Sequence, residues 1–161
     1  MRDILGTVGS LLLSLVALIA VGALIYEGYG WYKTGQASQD MSKLVTNVQA
    51  AYSNQPTFTS LSNSVANANG WTPKDWDAGG ASIQNQWGGT VTVSPDGSNS
   101  SEFDVTLTKV SSAGCQKLAL GMTNAVSASI NGSAVAVPVD AAVIGTDCSG
   151  SSNTLLFVMG H

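Results

Sequence analysis

The chain has 161 residues, with 6 Lys plus Arg against 10 Asp plus Glu and a formal net charge of −4. That balance leaves no basic patch to neutralise phosphates, so direct nucleic-acid binding is not expected. The length suits one compact domain with one additional element and is too short for two independent cores.

Apolar residues dominate from Ile4 to Tyr26, and between Leu11 and Ile25 only Ser14 and Gly22 interrupt them. A bilayer takes about 20 helical residues, so the stretch is long enough to cross one. Three readings compete: a cleaved signal peptide, a plain membrane anchor, and the apolar half of a longer helix. A signal peptide has a basic start, a shorter apolar core and a small-residue cleavage site. Here the run flows instead into Tyr26-Glu27-Gly28-Tyr29-Gly30-Trp31-Tyr32-Lys33, an aromatic cluster of interfacial type. Beyond it, Ala37, Met41, Leu44, Val48 and Tyr52 recur at helical spacing and form one apolar stripe.

No proline intervenes before Pro56, so the pattern predicts one helix over residues 1–54, apolar all round in 1–30 and amphipathic in 31–54. At 1.5 Å per residue it would be roughly 80 Å long. Its first half requires an apolar surround and its second a globular domain against the stripe. Gly22, Gly28 and Gly30 each cost about 1 kcal/mol relative to alanine and mark where the helix is expected to be flexible.

Residues 55–161 read as a polar α+β head, rich in Ser, Thr, Asn and Gly. Leu61, Val65 and Ala68 suggest a short helix stopped by Gly70. Thr90 to Ser94 and Phe103 to Val110 alternate as strands about the turn Pro95-Asp96-Gly97-Ser98-Asn99. Leu118, Ala119, Met122 and Val126 mark a helix. Ser127 to Ile130 and Ala134 to Val137 flank Asn131-Gly132, a hairpin signal. Leu155 to Val158 is an apolar strand expected at the centre of the sheet.

The only two cysteines, Cys115 and Cys148, suit a single disulfide in an oxidising compartment. The other readings are two buried thiols, or a metal site to which only His161 could contribute, and no metal is expected. Nor does catalysis find its residues. No histidine is placed as a general base, and Gly79-Gly80 and Gly88-Gly89 lack the Lys-Ser or Lys-Thr of a phosphate loop. The pairs Asp75 with Asp77 and Glu102 with Asp104 read as solvated charge. Asn99-Ser100-Ser101 and Asn131-Gly132-Ser133 match a glycosylation sequon without other support. Trp87 offers a sugar-stacking surface or, more simply, packing at a junction between helix and sheet. No enzymatic activity and no cofactor are expected.

The segment Ile83-Gln84-Asn85-Gln86-Trp87-Gly88-Gly89-Thr90-Val91 resembles the Asn-x-Trp-Gly-Gly stretch that leads into the first strand of type IVb pilins of the PilS and bundle-forming kind. Ser112-Ala113-Gly114-Cys115-Gln116-Lys117-Leu118 resembles their next element, in which a cysteine opens an amphipathic helix, and Cys148 before the last strand resembles the closing half of their C-terminal disulfide. The order of these marks after a long apolar-then-striped helix extends the resemblance over essentially the whole chain. It implies a pilin fold, a long N-terminal helix packed against a C-terminal antiparallel sheet, and a subunit that polymerises.

What the resemblance further implies is a homo-oligomeric helical filament used for adhesion, conjugation or other contact between cells. The subunit would lie in the inner membrane before assembly and in an extracellular pilus of identical copies on the bacterial surface afterwards. Its partners would be a prepilin peptidase and the pilus assembly machinery. Subunit packing is expected at Leu11, Leu12, Leu15, Leu18 and Ile19 and at the start, Met1, Arg2 and Asp3. The family's glutamate a few residues into the mature chain has no counterpart, since Leu5 stands there. Either Asp3 substitutes for it or the subunit registers its neighbours differently, with Met1 taken as the mature start. A minor pilin or pseudopilin, or a membrane-anchored periplasmic binding domain, are the rival readings.

Overall fold

The computed structural model describes residues 30–161. The chain divides into two units, Met1–Tyr32 and Lys33–His161, and the core belongs to the second. Helix α1 covers residues 30–52. Ala37, Met41, Leu44, Val48 and Tyr52 are all buried along it, and Asp40 and Val45 join them on the same face. The helix closes with Gln55 N–H donating to the Tyr52 carbonyl at 2.8 Å, directly before Pro56. A residue preceding proline is biased away from helical angles, which favours a stop there. Among the described residues no helix is long and apolar enough to cross a membrane. The apolar run from Ile4 to Tyr26 lies outside the described residues.

Helix α2 spans Asn63–Ala68, with Ser62 capping its N-terminus by accepting from Val65 N–H. Five strands follow: β1 Val91–Pro95, β2 Phe103–Val110, β3 Ser127–Ile130, β4 Ser133–Val135 and β5 Asn153–Met159. They form one antiparallel sheet in the order β1-β2-β5-β3-β4, so the last strand lies in the middle. The buried alternation of β1 and β2 puts Val91, Val93, Phe103, Val105 and Leu107 on one face. These residues share a single core with Leu155 and Phe157 of β5 and the stripe of α1. Period two in the strands and period 3.6 in the helix thus supply the two faces of one interior.

Helix α3, Ser112–Gly121, is capped by Ser111 and buries Cys115, Leu118 and Ala119. It is shorter than the apolar spacing predicted. Met122 caps it, and Val126, 55% exposed, already belongs to the approach to β3, its N–H donating to the Val158 carbonyl at 2.8 Å. Pairing with the central strand overrides the helical period at this point. Strand β4 likewise ends at Val135 and not at Val137. Pro138 has no N–H to extend the ladder and constrains the residue before it. The one-turn helix α4, Ile144–Asp147, had no sequence signal beyond Asp140, whose carboxylate accepts from Ala142 N–H.

Candidate functional site

Of the residues expected to assemble subunits, Met1, Arg2, Asp3, Leu11, Leu12, Leu15, Leu18 and Ile19 lie outside the described residues, as do Gly22 and Gly28. Gly30 stands at the first described position of α1, with open space around its Cα. The described head instead shows how the surface that a filament would display is held together.

Asn85 organises the Asn-x-Trp-Gly-Gly segment. Its Oδ1 accepts from the N–H groups of Trp87 and Gly89, at 3.0 and 3.1 Å, while its Nδ2 donates to the Thr108 carbonyl of β2 at 2.8 Å. The side chain therefore does the work of a turn and a strand contact together. Gly88 follows at φ +72°, and a Cβ on Gly89 would overlap the Thr108 carbonyl. That carbonyl is presented at a bulge, where the register between β2 and β5 shifts after Leu107 and Lys109 takes φ +55°. A Cβ on Gly114 would overlap the Trp87 indole, so this ring lies on the backbone of α3 and packs against the core. Asn85, Trp87 and Gly89 are thus placed by steric or hydrogen-bonding demands from β2 and α3.

A second polar connection ties α1 to the loop before the sheet. Asp40, 1% exposed, accepts from Gln86 Nε2 at 2.6 Å, and Gln86 Oε1 accepts from the buried Trp76 Nε1 at 2.8 Å. Burial raises the Asp40 carboxyl above its usual range; the Gln86 hydrogen bond and the Lys43 charge, 3.8 Å away, oppose this, and Asp75 adds to it. Sequence reasoning passed over Asp40 because an aspartate reads as solvent-facing. Its position between Ala37 and Leu44, inside the stripe, was the available signal.

Cys115 of α3 and Cys148 after α4 form a disulfide, with their Cα atoms 5.7 Å apart, and both are buried. The β3–β4 hairpin lies within the loop they bound and is tied to its far end by Asn131. Its Nδ2 donates to the Asp147 carbonyl at 3.1 Å and to Asn153 Oδ1 at 3.0 Å, and its Oδ1 accepts from Thr154 N–H at 2.9 Å. Asn153, fully buried, in turn donates to the carbonyls of Val110 and Gly150. Among the described residues no group of three or more His, Cys, Asp or Glu side chains is arranged to hold a metal ion.

A five-stranded antiparallel sheet closed over one stripe of an N-terminal helix, with its last strand central and a disulfide bounding the segment before it, is the architecture of a pilin head. The chain belongs to the PilS family: the model described as PilS N terminal matches residues 32–160. The fold is shared with the crystal structure of a type IV b pilin from Salmonella typhi, at a TM-score of 0.65 and 21% identity over 79% of this chain and 99% of that one. It is also shared with TcpA, a type IV pilin from Vibrio cholerae El Tor biotype, at a TM-score of 0.56 and 12% identity over 79% and 98%. A search of curated protein sequences finds no match.

Proposed function

We propose that the chain is the structural subunit of an extracellular type IVb pilus, the major pilin, and that it acts by polymerisation and not by catalysis. The observation that carries this reading is the match to the PilS family across residues 32–160, on a head whose core, among the described residues, takes in the 37–52 stripe of the helix. The apolar segment from Ile4 to Tyr26 then needs other company, which copies of itself provide.

On this reading residues 1–54 form one helix and residues 55–161 the head. The first half of the helix lies in the inner membrane until an assembly machinery extracts it, a prepilin peptidase having processed the subunit. Leu11, Leu12, Leu15, Leu18 and Ile19 pack between copies, and burial at about 25 cal/mol per Å² drives the association. The contact is heterologous and open, so it propagates as a filament. Asp3 meets the N-terminal amine or Arg2, because an unpaired charge in an apolar core costs several kcal/mol. Gly22, Gly28 and Gly30 form the window in which the helix yields on assembly. Contact between cells, by adhesion or conjugation, is the role of the finished pilus.

Shearing the producing cells and analysing the released surface material tests this. The chain should be its dominant protein, and deleting its gene should remove the filaments. A chain retained wholly in the membrane fraction would overturn the proposal.

A further inference from the structure

The sequence contains two Asn-Gly steps, Asn69-Gly70 and Asn131-Gly132, the pairing in which an asparagine amide is most open to attack by the following backbone nitrogen. In that reaction the glycine nitrogen bonds to the asparagine Cγ and the Cγ–Nδ2 bond breaks. Ammonia leaves with the proton, and water then opens the cyclic imide to aspartate or isoaspartate. Glycine, with no side chain, offers the least hindrance to the approach. Both asparagines are exposed, so access to water does not distinguish them. Their hydrogen bonds do.

At Asn131 every polar atom of the amide is used. Both protons of Nδ2 have acceptors, the Asp147 carbonyl and Asn153 Oδ1, and Oδ1 receives the Thr154 N–H. The backbone N–H of Asn131 also donates to the Thr154 carbonyl at 2.8 Å. Turning Cγ toward the Gly132 nitrogen requires these side-chain bonds to break together. The amide is further fixed in one orientation, because Asn153 spends its own Nδ2 on Val110 and Gly150 and can present only its oxygen. The Asn69 side chain has fewer bonds, although the backbone N–H groups of Asn69 and Gly70 donate to the Val65 and Asn67 carbonyls at 3.1 and 3.0 Å. It caps the C-terminus of α2 with one side-chain bond, Nδ2 to the Val65 carbonyl at 2.8 Å, and a Cβ placed on Gly70 would meet nothing within 4 Å.

We infer that Asn69 is the site at which the folded head deamidates spontaneously, and that Asn131 is protected by its hydrogen bonds until the disulfide-bounded segment opens. The products have different consequences. An aspartate at 69 loses the bond to Val65 and sets a negative charge at the C-terminal end of α2, where the helix dipole disfavours it. That helix carries Asn63, whose side chain pairs with the Val91 carbonyl and the Val93 N–H along the outer edge of β1. An aspartate at 131 would point a carboxylate oxygen at two acceptors, the Asp147 carbonyl and Asn153 Oδ1. Once formed in an opened chain, it opposes reclosure of the hairpin onto the disulfide-bounded segment.

The test incubates the full chain at mildly alkaline pH in two states, oxidised and folded, and reduced, alkylated and denatured. Fragmentation mass spectrometry then localises each amide-to-acid conversion. In the folded chain Asn69 should convert at least about tenfold faster than Asn131, a factor that the two additional side-chain hydrogen bonds of Asn131 can supply. In the denatured chain the two should convert at comparable rates. Equal rates in the folded chain, or conversion at Asn131 first, would overturn the inference. So would an unchanged difference in the denatured chain, which assigns it to flanking sequence, or a folded Asn69 that does not convert while the denatured chain does.

Discussion

Asp104 is the residue whose environment contrasts most with its appearance in the sequence, where beside Glu102 it reads as solvated charge. On β2 it lies opposite Ser94 of β1 and Val158 of β5, and its buried Oδ1 has no hydrogen-bond partner. Burial, then the neighbouring charge and hydrogen bond of Asp96 and the charge of Glu102, push its carboxyl up to about 6. A carboxyl raised in this way holds its proton more tightly in the folded chain. Its contribution is therefore present at low pH and is lost as the pH rises from the ordinary carboxylate range through about 6. Replacing Asp104 by asparagine keeps a donor toward Asp96 and removes the titration. Thermal melts should find Asp104→Asn more stable than the parent at pH 7, by about 1–3 kcal/mol, with the difference vanishing near pH 4. A difference that does not change with pH would contradict this account.

Asparagines were the least legible residues. Asn85, Asn131 and Asn153 each replace backbone partners across loops, as Asn63 does at the edge of β1. In the sequence they merge with a generally polar composition, because what sets them apart is a partner 16 to 43 residues away. Asn85 was singled out through its place before Trp87 and the two glycines, and Asn131 through its turn with Gly132, but neither through these long-range partners. The steric reasons for Gly89 and Gly114 depend on Thr108 and Trp87 and have no local signature.

Among the elements, those with a strong period were the most legible. The five stripe residues of α1 are all buried, and β2 and β5 alternate or run apolar as their patterns require. The Asn131-Gly132 hairpin is also where its turn residues put it. The elements that moved, the end of α3 and the end of β4, did so because a ladder partner or a proline outweighed local spacing. Since α1 contributes one wall of the core, truncating its stripe should destabilise the whole head. Leu44→Ala, at a position with no exposure, should cost about 2–5 kcal/mol in urea denaturation. Thr46→Ala, on the exposed face of the same helix, should stay within about 0.5 kcal/mol. Equal effects would mean that the stripe does not hold the head.

At the scale of the whole molecule, the division of labour follows from hydropathy. One stretch of helix is striped and finds its partner within the chain, whereas the sequence before it is dominated by apolar residues from Ile4 to Tyr26. The family match and the pilin fold fit the proposed use of that asymmetry, in a pilus subunit. The most direct measurement is high-resolution imaging of fibres sheared from the producing cells. The account predicts thin helical filaments built from this chain, with residues 1–30 packed together at the axis and the sheet heads outside. Fibres made of another protein, or axial density that excludes residues 1–30, would contradict it.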